Sequence, residues 1–126
     1  MQKNRFLIAT CTLMIGCMIA CATNLEQIKL EAEAQRNVGE AYMAEGKYTA
    51  ALKELLDAEK LYADDYLLQN LLGLAYMRKE KPELAVEHYK KSVELKHDYA
   101  PAKNNLGTAY LALGEWDAAI ACFKEL

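Results

Sequence analysis

Leu72-Gly73-Leu74-Ala75-Tyr76 stands at the centre of a pattern that runs through most of the chain. Gly39, Gly73 and Gly107 lie 34 residues apart, and each is followed three residues later by a tyrosine: Tyr42, Tyr76 and Tyr110. Nine residues beyond each tyrosine comes an alanine (Ala51, Ala85, Ala119), and four beyond that a large apolar residue (Leu55, Tyr89, Phe123). Self-similarity at this period, with small and large residues in fixed slots, is the sign of stacked helix pairs. Two helices cross closely only where a side chain is absent or small. Gly73 and Ala85 are therefore expected to mark the contact within a pair, with Tyr76 and Tyr89 filling the volume beside it. A glycine inside a helix costs roughly 1 kcal/mol relative to alanine, so three of them at one spacing imply a return in packing.

The slots resemble the tetratricopeptide repeat, whose skeleton is W-x2-L-G-x2-Y, then A, then F, then P. In that register the repeats are 32–65, 66–99 and an incomplete 100–126. The leucine slot holds Val38, Leu72 and Leu106, and the second alanine slot holds Ala58 and Ser92. The tryptophan slot holds Gln35, Gln69 and Lys103 instead, and the proline slot holds Ala63 and His97. The resemblance implies an all-α solenoid of antiparallel helix pairs, about two and three-quarter repeats long.

Composition agrees. Apolar residues make up 53 % of the chain, with two prolines and six glycines, and there are no alternating strand-type runs with Asn-Gly or Asp-Gly turns. The first 20 residues stand apart from this fold. Lys3 and Arg5 precede the mostly apolar run Phe6 to Ala20, which is shorter than the roughly 20 residues a membrane span requires. A basic start, a short apolar run and small residues at its end describe a secretory signal peptide. The run closes on Met18-Ile19-Ala20-Cys21, which resembles a bacterial lipobox with Cys21 as the lipid-modified residue. Met14-Ile15-Gly16-Cys17 is a second candidate, but cleavage there would leave apolar residues on the mature end. Residues 21–31 then join the lipid to the repeats of 32–126.

Without the leader, basic residues fall from 15 to 13 against 18 acidic ones, and the net charge moves from −3 to about −5. Nucleic-acid binding favours a basic face, so no nucleic acid is expected. Cys11, Cys17 and Cys21 belong to the leader region and only Cys122 to the repeats, so neither a disulfide nor a cysteine-rich metal site is expected within the domain. Cys122 reads as a small core residue.

Thr23 with Glu26 three residues on reads as a capping box, placing the start of the first helix there and its end at Ala44, before Gly46. Further helices are expected from Tyr48 to Leu61, Tyr66 to Arg78, Pro82 to Leu95, and from about Pro101 to Gly114, with Trp116 opening the last. Asp64 and Asp98, 34 residues apart, are expected N-caps.

No catalytic site is expected. His88 reads as solvent-facing and His97 as part of a turn between repeats; with Glu87 or Glu94 they build no metal site. Ser92, the single serine, has no base assigned to it. The helical glycines lie too far apart in sequence for a phosphate loop, and no cofactor is expected.

The informative surface is the groove that the first helices of such pairs line. The resemblance places on it Glu33, Arg36, Glu40, Met43 and Ala44, then Leu67, Asn70, Leu74, Met77 and Arg78, then Pro101, Asn104, Thr108, Leu111 and Ala112. Leu67 and Ala112 are expected to pack between helices instead. The other apolar side chains supply burial, and Asn70 and Asn104 could bond a bound backbone. Relatives that grip a peptide's terminal carboxylate need Lys and Asn in the first repeat, Asn in the second, and Lys and Arg in the third. Those positions here are Arg36, Glu40, Leu71, Pro101 and Asn105, so no carboxylate clamp is expected.

A lipoprotein leader running directly into such repeats resembles the type IV pilus biogenesis lipoproteins of pilotin type, which help the outer-membrane secretin assemble. That resemblance implies a non-catalytic periplasmic scaffold with a protein partner. An adaptor for cell-wall hydrolases, or a regulatory part of an enzyme complex, is the alternative. Ala22 after the cysteine implies the outer membrane. Finally, Trp116, Ala119, Ile120, Cys122 and Phe123 crowd the last helix, so self-association or coverage by further chain is expected there.

Overall fold

A computed structural model describes the backbone of residues 2–126 and the side chains of residues 21–126. The leader side chains, Cys11 and Cys17 among them, lie outside the described residues. Six helices follow one another: α1 (Gln2–Ala44), α2 (Tyr48–Leu61), α3 (Tyr66–Arg78), α4 (Pro82–Leu95), α5 (Ala100–Leu113) and α6 (Trp116–Lys124). The all-α repeat architecture is as expected.

Three caps differ from expectation. α1 passes through Thr23 without a break, so the expected capping box does not start a helix there. The cap of α3 is Asp65, not Asp64: its Oδ1 accepts from the backbone N–H of Leu67 at 2.9 Å and of Leu68 at 3.3 Å. The cap position of α5 is Tyr99, not Asp98, and it makes no side-chain cap bond. Pro101 in that first turn removes one of the N–H groups a cap would serve.

Turns within pairs need a left-handed residue. Gly46 (φ 73°) and Gly114 (φ 76°) supply it in the first and third pairs, and Glu80 (φ 58°) does so in the second.

Each glycine of the 34-residue pattern lies against the large residue of its partner helix. A Cβ on Gly73 would come within 2.6 Å of Tyr89 Cδ1, one on Gly39 within 2.7 Å of Leu55 Cγ, and one on Gly107 within 2.6 Å of Phe123 Cε1. Gly73 thus meets the Tyr89 ring, and in the first pair Gly39 meets the Ala51 carbonyl as well, 3.3 Å from where a Cβ would lie; Ala85 is fully buried.

The core is divided between the junctions of successive repeats. Leu55 and Ala58 of α2 pack with Leu68, Leu72 and Ala75 of α3. Ala85, Val86 and Tyr89 of α4 pack with Leu106 and Ala109 of α5, and Cys122 joins this cluster from α6. Each pair therefore buries its apolar face on the next, as a solenoid must. The α3 backbone runs close to both α1 and α5, whereas among the described residues the backbones of α2, α4 and α6 stay farther apart. The chain therefore curves with α1, α3 and α5 on its inner side.

Candidate functional site

The inner side carries two small cavities that meet at Leu74. One, of about 220 Å³, is lined by Arg36, Glu40, Leu67, Asn70, Leu71, Leu74 and Tyr99. The other, of about 200 Å³, is lined by Leu74, Met77, Arg78, Tyr89, Asn105 and Thr108. Leu67, Leu71, Leu74 and Met77 are each partly exposed, so the floor between the cavities is aliphatic.

Of the residues expected on this surface, Arg36, Glu40, Asn70, Leu74, Met77, Arg78 and Thr108 line the cavities. Met43 packs against the α2–α3 core instead. Asn104 is exposed outside both cavities and its carbonyl accepts from Thr108 Oγ1 at 3.0 Å. Leu111 is exposed outside them as well. Glu33 is exposed, and its carboxylate lies 3.3 Å from Arg36.

The polar groups are not equally available. Asn70 is 6 % exposed, and its Oδ1 accepts from Asn105 Nδ2 at 2.9 Å. The Asn70 oxygen, expected to bond a bound backbone, is thus engaged by Asn105 across α3 and α5. Arg36 is bound to Asp65, to Glu33, and to Asn37 Oδ1 at 3.2 Å. Glu40 and Arg78, in contrast, are exposed and make no ion pair among the described residues; Arg78 lies 6.0 Å from the Tyr48 ring.

Leu71, Tyr89, Tyr99 and Asn105 line the cavities without having been expected there. Tyr99 lies in the connection before α5 and packs edge-on against Tyr66, ring centroids 4.9 Å apart. Burial, with Tyr66 and Glu40 nearby, raises its phenol above the ordinary value, so the hydroxyl keeps its proton. Asn105 and Leu71 each stand one position beyond the residues that the repeat frame marks as outward.

On the other side of α3, Gln69 occupies the tryptophan slot and is fully buried. Its Nε2 donates to Glu59 Oε1 at 2.8 Å and to the Ala63 carbonyl at 2.9 Å, while its Oε1 lies 2.8 Å from His88 Nδ1. An amide buried without partners is costly, and these three contacts answer that cost. They also turn His88 inward: its side chain is 16 % exposed and stacks on Tyr76 at 5.3 Å. His88 is thus a structural residue, not a solvent-facing one. Ser92 is fully buried and donates its hydroxyl to the Tyr66 carbonyl at 2.7 Å. A wider hollow of about 530 Å³ opens at the turns, lined by Lys47, Thr49, Arg78 and Lys79 among others. It lies at the ends of the helices and is bridged by Lys79 Nζ to Thr49 Oγ1 at 3.0 Å.

Comparison with known proteins places this geometry. No curated protein sequence matches the chain. The second repeat domain of Spaghetti (RPAP3), solved bound to the HSP90 peptide SRMEEVD, superposes with a TM-score of 0.75 at 26 % identity, covering 79 % of this chain and 92 % of that one. The second repeat domain of human RPAP3, in complex with the HSP70 peptide SGPTIEEVD, gives 0.73 at 25 % identity, covering 77 % and 81 %. The protein MamA gives 0.71 at 30 % identity, covering 75 % of this chain and 55 % of that one. The tetratricopeptide repeat profile matches residues 64–126, half of the chain. On the profile, the solved structures and the helix pairs themselves, the chain belongs to the tetratricopeptide repeat family.

Proposed function

We propose that this chain is a non-catalytic scaffold that receives a segment of a partner protein in the groove formed by α1, α3 and α5. The observation that carries this reading is the pair of cavities joined at Leu74, a concave aliphatic floor with polar groups at its ends. The RPAP3 domains were solved with peptides bound. Leu74 is partly exposed at the border of the α4–α5 core, so Leu74→Glu puts a charge on the groove floor. The variant should keep its helicity and lose its partner in a pulldown. Retention of the partner would place the interaction elsewhere.

The peptide SGPTIEEVD held by the human RPAP3 domain, acidic with no basic side chain, should not bind here. Glu40 opposes an acidic chain, and Arg36 already neutralises Asp65. Fluorescence anisotropy with SGPTIEEVD, which carries no basic side chain, should show no saturable binding.

The leader and the exposed Cys21 support attachment to a bacterial membrane on its periplasmic side, the outer membrane by the residue after the cysteine. Each methylene of an attached acyl chain that enters the bilayer adds about 0.8 kcal/mol. Labelling with a fatty-acid analogue should mark the wild type and miss Cys21→Ser. Within that setting the task is assistance to type IV pilus or secretin assembly. Secretin subunits should then accompany the lipidated protein in a pulldown, and their absence would end this reading.

A second contact surface is the stripe on α6, where Trp116 is 64 % and Ile120 49 % exposed. An apolar stripe of this kind supports self-association. Light scattering should report an assembly that Trp116→Ser with Ile120→Ser disperses; a monomer at micromolar concentration would remove the surface from the account.

A further inference from the structure

The two ends of the groove differ in sign. At the α1 end, the guanidinium of Arg36 is 12 % exposed and committed to Asp65 and Glu33, so its charge is already answered. The Asp65 carboxylate is filled in turn by Arg36 and by the N–H groups it caps. That leaves Glu40, exposed and without an ion-pair partner among the described residues, as the charge a ligand meets in the first cavity. At the other end, Arg78 lines the second cavity, is exposed, and touches no carboxylate. It lies over the Tyr48 ring and near the Tyr89 phenol and pairs with no carboxylate among the described residues, which leaves its N–H edge free to bond an acid. Between these ends the floor is Leu71, Leu74 and Met77.

Resting on the groove reading above, we infer that the occupant is a peptide segment that presents a basic side chain to Glu40, an aliphatic side chain at Leu74, and an acidic side chain to Arg78. Opposite charges at the two ends fix the direction in which a segment lies, and the aliphatic floor supplies its burial. A segment acidic at both ends meets Glu40 with like charge, and one basic at both ends meets Arg78 so. The charge pattern therefore selects among partners by repulsion as well as by attraction.

An array of random dodecamer peptides probed with the purified full chain tests this. Wild type should select peptides in which a basic and an acidic residue flank an aliphatic one. Glu40→Lys and Arg78→Glu alter exposed side chains, and circular dichroism should show both folded. Each should weaken binding of the selected peptides about tenfold, the scale of one lost charge-assisted bond. On a fresh array Glu40→Lys should shift selection to peptides with acids on both sides. Selected peptides that ignore both swaps but are released by Leu74→Glu would overturn the charge assignment and leave the groove reading standing. Peptides that Leu74→Glu also fails to release, or an array with no binders, would overturn the groove reading itself.

Discussion

Asp65 holds Arg36 with one carboxylate oxygen and the start of α3 with the other. A single side chain thereby ties the first repeat to the second: it fixes where α3 begins and clamps α1 beside it. Neither partner is freely solvated, at 12 % and 19 % exposure, so the contact is screened less than a surface ion pair.

Replacing that carboxylate separates its two tasks. Asp65→Asn keeps an oxygen for the cap and loses the charge that answers Arg36. Asp65→Ala loses both. A lost cap costs about 0.5–2 kcal/mol, and a hydrogen bond to a charged group about 1.5–3 kcal/mol. Urea unfolding should rank wild type above Asn and Asn above Ala. Equal midpoints for Asn and Ala would show that the cap contributes nothing separable.

Gly73 faces the Tyr89 ring, which is 1 % exposed and has no room to swing aside. Gly73→Ala gains about 1 kcal/mol of helix propensity but overpacks the contact, at about 1–3 kcal/mol. A net loss of stability is expected. Tyr89→Leu, the residue type that already covers Gly39 in the first pair, should relieve it. The double variant should then be more stable than additivity of the single changes predicts. Strict additivity in the cycle would mean that the glycine is not there for the ring.

How far the sequence discloses this architecture follows from what each signal encodes. The spacing from each glycine to the large residue of the next helix reports helix packing directly, because a Cβ cannot fit where Tyr89 or Leu55 lies. The turns at Gly46 and Gly114 are equally legible, since the left-handed conformation favours glycine. Caps are harder. Asp64 and Asp65 are adjacent candidates, and only the start of α3 at Tyr66 selects the second. His88 is misread from sequence because its inward turn depends on Gln69, 19 residues away. The repeat frame places Arg36, Asn70 and Leu74 on the inner helices, and there they line the cavities. The Asn70–Asn105 bond is not, because it depends on how two neighbouring helices rotate against each other.

Glu80 sits in the turn slot that Gly46 and Gly114 fill in the other pairs, at φ 58°. A residue with a Cβ is disfavoured there by about 1–2 kcal/mol, and Glu80 is exposed with no ion pair among the described residues to offset it. Glu80→Gly should therefore stabilise the protein by about 1 kcal/mol, after allowing for the greater freedom of glycine when unfolded. Thermal unfolding should show a higher midpoint. A lower one would mean that Glu80 makes an interaction outweighing its backbone strain.

His88 gives the fold a dependence on pH. Burial holds its pKa below the ordinary 6.5; Lys91 pushes the same way, while Glu59 and Glu87 pull against it. The folded protein thus prefers the neutral ring, whose Nδ1–H donates to Gln69 Oε1. Because the folded value is depressed, the unfolded chain binds the proton more readily between the two values. Stability from this group is complete above about pH 6.5 and is lost as pH falls through the folded value. Urea midpoints should accordingly decline from pH 7.5 towards pH 5.5. His88→Gln retains an amide donor for Gln69 and has nothing to titrate, so its midpoints should stay flat over that range, even if lower throughout. A wild-type midpoint that rises on acidification would show that protonated His88 gains more from Glu59, 3.9 Å away, than it loses by burial.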